Sequence, residues 1–93
     1  MIRSYKDSRT EAVAIGNIPK GFPADLSRSA IRKLTMIENA ATLDDLRSPP
    51  GNRLEALRGD RKGQHSIRIN DQWRICFVWS DGGAEAVEIV DYH

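Results

Sequence analysis

Gln64-His65-Ser66-Ile67-Arg68-Ile69, then Asn70-Asp71-Gln72, then Trp73-Arg74-Ile75-Cys76-Phe77-Val78-Trp79: these sixteen residues decide the fold. Both outer runs alternate large apolar side chains with other types, the two-residue period of a strand that buries one face. Asn70-Asp71 is turn chemistry, so the two runs fold back on each other as an antiparallel hairpin. Parity then assigns Ile67, Ile69, Trp73, Ile75, Phe77 and Trp79 to the core side and Arg68, Arg74 and Cys76 to the opposite side.

Working outward, strands are expected at Arg53 to Leu57 and Glu85 to Tyr92, joined to the hairpin through Gly59 to Gly63 and Ser80-Asp81-Gly82-Gly83. Short turns imply an antiparallel meander. Val87 and Ile89 join the core face, Tyr92 the opposite one, and Glu55 also the opposite one if Leu54 and Ala56 point inward. Upstream, Ser8-Arg9-Thr10-Glu11 has capping-box spacing and Gly16 a stop signal, which predicts a short helix. A second helix from Pro23 places Leu26, Ala30, Leu34, Ile37 and Ala41 on one face, with Arg28, Arg32 and Lys33 on the solvated side. Ile2 to Tyr5 reads as a first strand, Thr42 to Leu46 as one extra helical turn, and Ser48-Pro49-Pro50-Gly51 as a break. The fold class is therefore α+β: an N-terminal strand and two helices packed on a mostly antiparallel sheet, with residues 1–93 forming a single domain.

Ninety-three residues support one small core. With 40% apolar and 29% charged residues the chain has the composition of a soluble globular protein. No apolar run approaches the ~20 residues of a membrane-spanning helix, so no membrane association is expected. Met1-Ile2-Arg3-Ser4-Tyr5-Lys6 lacks the apolar region of a signal peptide, and a cytoplasmic location is expected. Cys76 is the single cysteine, which excludes an internal disulfide or a cysteine-cluster zinc site and reads as a small buried or half-buried side chain.

The net charge of +1 conceals an asymmetry. Arg47 to Arg74 carries seven basic residues against three acidic, a local +4, whereas Ile75 to His93 carries four acids and no lysine or arginine. A basic hairpin beside an acidic end can bind phosphate locally without being a general polycation. Arginine (Arg74, Arg68), carboxylate (Glu55) and phenol (Tyr92) converge on the face away from the helices. The chain closes on Tyr92-His93 directly after the apolar run Val87 to Val90. That puts two proton-exchanging side chains at the edge of the sheet, beside a terminal carboxylate. His65 falls on the core side, where a structural histidine with satisfied nitrogens is expected.

The chain resembles the HigB-type toxins of the RelE toxin superfamily. The resemblance covers nearly the whole chain. It is carried by Met1-Ile2-Arg3-Ser4, Arg53-Leu54-Glu55-Ala56-Leu57-Arg58-Gly59-Asp60-Arg61, Ser66-Ile67-Arg68-Ile69-Asn70, Gln72-Trp73-Arg74-Ile75-Cys76-Phe77 and Val90-Asp91-Tyr92-His93. It implies a small RelE-like toxin domain that acts as a ribosome-dependent messenger-RNA endonuclease. It also implies that the family's basic site residues map to Arg58 and Arg74 and its terminal pair to Tyr92 and His93. The sequence departs from relatives at Glu55, where some carry histidine, and at Arg58, where some carry lysine. The partners implied are the ribosome with its mRNA and a HigA-type helix-turn-helix antitoxin, through which alone operator DNA would be engaged.

With no recognisable metal-ligand spacing and no cofactor motif, the route open to these residues is attack of a ribose 2′-hydroxyl on the adjacent phosphate. Arg74 suits the phosphorane, because a guanidinium stays charged and grips two oxygens. Arg58 assists it. His93 is the candidate acid for the departing 5′-oxygen, its α-carboxylate and Asp91 favouring imidazolium against Arg58 and Arg74. Tyr92 or Glu55 orients or accepts the hydroxyl proton, and the residues do not choose between them. Lys6, Arg28, Arg32, Lys33, Arg61, Lys62 and Arg68 are candidate RNA contacts on charge alone. Two other functions stay open: a gyrase-inhibiting toxin of the same superfamily, whose members lack the matched arginine and terminal pair, and a non-catalytic RNA-binding module.

Overall fold

Ile67 lies opposite Ile75, and Ile75 opposite Ile89, and all three are buried, so the central hairpin forms in the register that alternation demands. The computed structural model describes residues 1–91. Helices α1 (Ser8–Ala14) and α2 (Ala24–Asn39) lead through 3-10 turns at Leu43–Arg47 and Pro50–Asn52 to strand β1 (Glu55–Ala56). A 3-10 turn at Gly59–Arg61 then precedes β2 (His65–Arg68), β3 (Trp73–Ser80) and β4 (Gly83–Asp91). The strands form an antiparallel meander in the order β1-β2-β3-β4. One face of the sheet packs against α1 and α2. Leu26, Ala30, Leu34 and Ile37 of α2 meet Ile67, Ile75, Phe77, Val87 and Ile89 in one cluster, with Trp73 and Trp79 half-buried at its margins. Each fully buried Leu or Ile contributes roughly 1.5–3 kcal/mol, so this seam is what holds helices to sheet.

The expected first strand takes a different form: Ile2 and Tyr5 make only single bridges, both parallel, to Ala84 and Val87 of β4. A β-bulge divides them. Phe77 faces two residues of β4, and Ala86 adopts a left-handed φ of 52°. The backbone N–H of Ala86 is turned out of the ladder and donates to Ser4 Oγ at 2.9 Å. Close approach explains Gly83, where a Cβ would stand 2.9 Å from Arg3 Nε and 3.0 Å from Met1 O. Farther along, Ile89 N–H donates to the buried hydroxyl of Thr10 on α1 at 3.0 Å. The outer edge of β4 is thus covered from Ala84 to Ile89.

Several boundaries shift for local reasons. Asp7 rather than Ser8 caps α1, accepting from Thr10 N–H at 2.7 Å. The reciprocal arrangement expected at Ser8 occurs instead at Thr42, where Asp45 accepts from the N–H groups of Ala41 and Thr42 at 2.8 and 2.9 Å. Those bonds, Thr42 first, hold the Asp45 carboxyl below its usual range. Helix α2 ends at Asn39, with Ala40 already extended, so Ala40 is buried and Ala41 exposed, reversing the expected phase. Strand β1 is shorter than expected because Arg53 has a left-handed φ of 45°.

Candidate functional site

Arg74 enters the side of the sheet that carries no helix. Along that face, register puts Glu55 beside Ser66, Ser66 beside Cys76 and Cys76 beside Glu88, with Arg68 opposite Arg74. Arg68, Arg74 and Cys76 thus share the face that parity assigns them, and Glu55 comes within 3.7 Å of Arg74 although Ala56, expected to point inward, is exposed.

Arg74 is held from several directions. Its Nε donates to Ser66 Oγ at 2.8 Å, and one terminal nitrogen donates to the Arg53 carbonyl at 2.8 Å. The same nitrogen lies 3.5 Å from Ser66 O and 3.7 Å from Glu55 Oε1. Its side chain is 11% exposed while that of Glu55 is 54% exposed, so the guanidinium is fixed and the carboxylate reaches into solvent. Glu55 and Arg58 line one open cleft of about 600 Å³ together with Ala56 and Leu57. Arg58 is exposed, at the start of the Gly59–Arg61 turn.

A second cluster lies across the same face. Glu88 of β4 is 3.4 Å from Lys6 Nζ and 3.5 Å from an Arg61 terminal nitrogen, and Arg61 also donates to Gln64 at 3.1 Å. These two cations meet on one carboxylate. Beneath them Cys76 is fully buried, and burial pushes its thiol upward in pKa, so it stays protonated. Arg68 bends back to Asp71 and to the Asn70 carbonyl. Lys62 is exposed next to Arg61.

Two expectations are corrected. Lys33 does not lie on the solvated side of α2: it is 7% exposed, and its ammonium donates to Asn52, which excludes it as an RNA contact. Burial, then Arg32 and Arg68, lowers its pKa. The cause is the loop at Pro50–Asn52, which folds over that turn of the helix, something helical period alone does not reveal. His65 does lie on the core side, stacked 6.5 Å from Phe77, yet its buried Nδ1 has no hydrogen-bond partner among the described residues. It is not the satisfied histidine expected.

Arg28 and Arg32 are exposed on α2, in the helical layer rather than on the face of Arg74. Tyr92 and His93 lie outside the described residues. Sequence reasoning missed Ser66, the Arg53 carbonyl and Glu88. A serine amid a strand of larger residues was the signal for the first; the others depend on tertiary placement.

The family model described as "RelE-like toxin of type II toxin-antitoxin system HigB" matches residues 5–93. Toxin HigB-1 of Vibrio cholerae is 47% identical over 63 residues, which cover 68% of this chain and 66% of the relative, just under two thirds of its length. Endoribonuclease HigB of Proteus vulgaris is 30% identical over 93 residues, 100% of both chains. Among solved structures, a chain of the YoeB-YefM complex from Staphylococcus aureus superposes with a TM-score of 0.63 at 15% identity, covering 100% of this chain and 98% of that one. At that identity the likeness is one of fold.

Proposed function

This chain belongs to the RelE-like HigB toxins of type II toxin-antitoxin systems, and from that premise we propose that it is an endoribonuclease that cuts mRNA in the ribosomal decoding site and so stops translation. The observation that carries the reading is Arg74, a guanidinium pinned on the helix-free face by Ser66 Oγ and the Arg53 carbonyl at 2.8 Å each. A fixed cation adds stabilisation where phosphorane charge grows, with no reorganisation during the step. The relative named Endoribonuclease HigB supports the reaction class.

The reaction uses no metal in this reading. The 2′-oxygen attacks phosphorus, its proton passes to the Glu55 carboxylate, and the bond from phosphorus to O5′ breaks as His93 gives that oxygen a proton. A 2′,3′-cyclic phosphate and a 5′-hydroxyl result. Glu55 suits the acceptor role because its pairing with Arg74 is a single 3.7 Å contact and the side chain remains 54% exposed. Tyr92 orients the 2′-hydroxyl. Arg58, in the same cleft as Glu55, shares the phosphate charge. The roles of Tyr92 and His93 rest on the family motif.

Arg61, Lys6, Lys62 and Arg68 on this side, with Arg32 exposed on α2, serve as RNA contacts on the ribosome. A HigA-type helix-turn-helix antitoxin, which also binds operator DNA, restrains the toxin in the cytoplasm. The family's description as half of a toxin-antitoxin system supports such a partner.

The deciding experiment incubates the protein with mRNA, with and without programmed ribosomes, and maps cut sites and end groups for wild type and Arg74→Ala. Cuts confined to ribosome-bound mRNA, with cyclic phosphate ends and loss in the variant, are expected. Toxicity without any RNA cleavage would instead mean a non-catalytic toxin.

A further inference from the structure

Ser66 occupies the middle of β2 on the face that carries no helix, where a side chain would ordinarily meet solvent, yet it is 0% exposed. What lies against it is Arg74. Arginine Nε carries one hydrogen in the guanidinium plane, and here it donates to Ser66 Oγ at 2.8 Å. The second anchor, at 2.8 Å, is the Arg53 carbonyl, aimed by a backbone turn in which Arg53 has φ 45° and ψ 54°. Holding a non-glycine residue there costs about 1–2 kcal/mol. Two acceptors at two different nitrogens define a plane. Ser66 Oγ fixes the Nε edge of the guanidinium and the Arg53 carbonyl its terminal edge.

We propose that Ser66 is a positioning residue for the cleavage reaction: its hydroxyl, with the Arg53 carbonyl, sets the plane in which Arg74 meets the scissile phosphate. This deepens the endoribonuclease reading and rests on it. Serine fits the task because its hydroxyl accepts from Nε while its small side chain lets the guanidinium lie flat over β2. Alanine keeps the size and removes the acceptor, whereas threonine keeps the acceptor and suits a strand. The effect belongs in turnover rather than binding, since the positive charge and the surrounding cations remain when only the aim of Arg74 is lost.

The test compares wild type, Ser66→Ala, Ser66→Thr, Arg74→Ala and Ser66→Ala/Arg74→Ala in cleavage of mRNA on programmed ribosomes. Ser66→Ala is expected to lower kcat by about tenfold while KM stays near wild type, with Ser66→Thr restoring most of the rate. In the Arg74→Ala background, removing the hydroxyl should cost nothing more, because its role runs through the absent guanidinium. A wild-type kcat in Ser66→Ala, or the same loss with and without Arg74, overturns the proposal. If Arg74→Ala itself cleaves normally, Arg74 does not serve the reaction and the proposal falls with it; if the wild type cuts no mRNA with or without ribosomes, it is the endoribonuclease reading that fails. The hydrogen bond is read independently by NMR: exchange of the Arg74 Nε proton should quicken in folded Ser66→Ala, and an unchanged exchange rate also overturns the proposal.

Discussion

Lys33 donates its ammonium to the Asn52 side chain inside the protein, the lysine 7% exposed and the asparagine 0%. Asn52 in turn donates to the carbonyls of Leu46 and Ser48 at 3.1 and 3.3 Å. One side chain therefore ties helix α2 to the irregular segment that delivers Arg53 and β1 to the site. Asn52→Ala would leave a buried ammonium without its acceptor and two carbonyls without a donor. A loss of about 3 kcal/mol or more is expected in urea unfolding, with most recovered in the double variant Lys33→Met/Asn52→Leu. A loss under about 1 kcal/mol would show that water replaces the asparagine at no cost.

The same lysine gives stability a pH dependence. Its pKa lies below the ordinary 10.5, chiefly because burial disfavours the charged form. Between the lowered folded value and the ordinary unfolded one, the unfolded chain binds more protons, so stability rises with pH across that window. Below it, the cost of the buried charge is constant. Relative to Lys33→Met, the wild-type urea midpoint should climb as the pH rises toward the ordinary lysine value of 10.5. Parallel curves would remove the effect.

Arg74 and Arg58 should separate in magnitude. Arg74→Ala is expected to reduce single-turnover mRNA cleavage by about a hundredfold or more, ~3 kcal/mol, by analogy with loss of one preorganised oxyanion donor. Arg58, exposed on its turn, is expected to cost less on replacement by alanine. Equal losses would mean that the two guanidinium groups share the phosphate equally.

Glu88 holds Lys6 and Arg61 at 3.4 and 3.5 Å, so it competes with phosphate for both. Glu88→Gln should strengthen binding to single-stranded RNA and steepen its salt dependence by up to ~0.7 in the log-log slope for each cation released. An unchanged slope in a filter-binding titration would place these cations off the RNA path.

Thr10 is the acceptor for Ile89 N–H at 3.0 Å where α1 covers β4. Thr10→Val keeps the shape and strands a buried donor, which should cost about 1–3 kcal/mol, while Thr10→Ser should cost less. Thermal unfolding of the three proteins checks this.

Period-two alternation in residues 64–79 was enough to assign the hairpin, the core face and the shared side of Arg68 and Arg74, because inward and outward positions in a strand differ by one residue. Glu55 was placed there only on the condition that Ala56 point inward, and Ala56 is exposed. The helices were legible to within a cap, since apolar spacing marks a face more strongly than it marks an end. Lys33 was misplaced for a related reason. Its angular position on α2 gave no hint that Pro50–Asn52 would cover it.

The sequence by itself determined the α+β layering and the side of the sheet that Arg68, Arg74 and Cys76 share, because both follow from local periodicity. Tertiary structure alone decided which acceptors hold Arg74, that Glu88 gathers Lys6 and Arg61, and that Lys33 is buried. Apart from Ser66, which the hairpin itself brings to Arg74, each of those joins residues far apart in the chain, and their separation in space depends on how loops cross the sheet rather than on any repeat in the residues themselves.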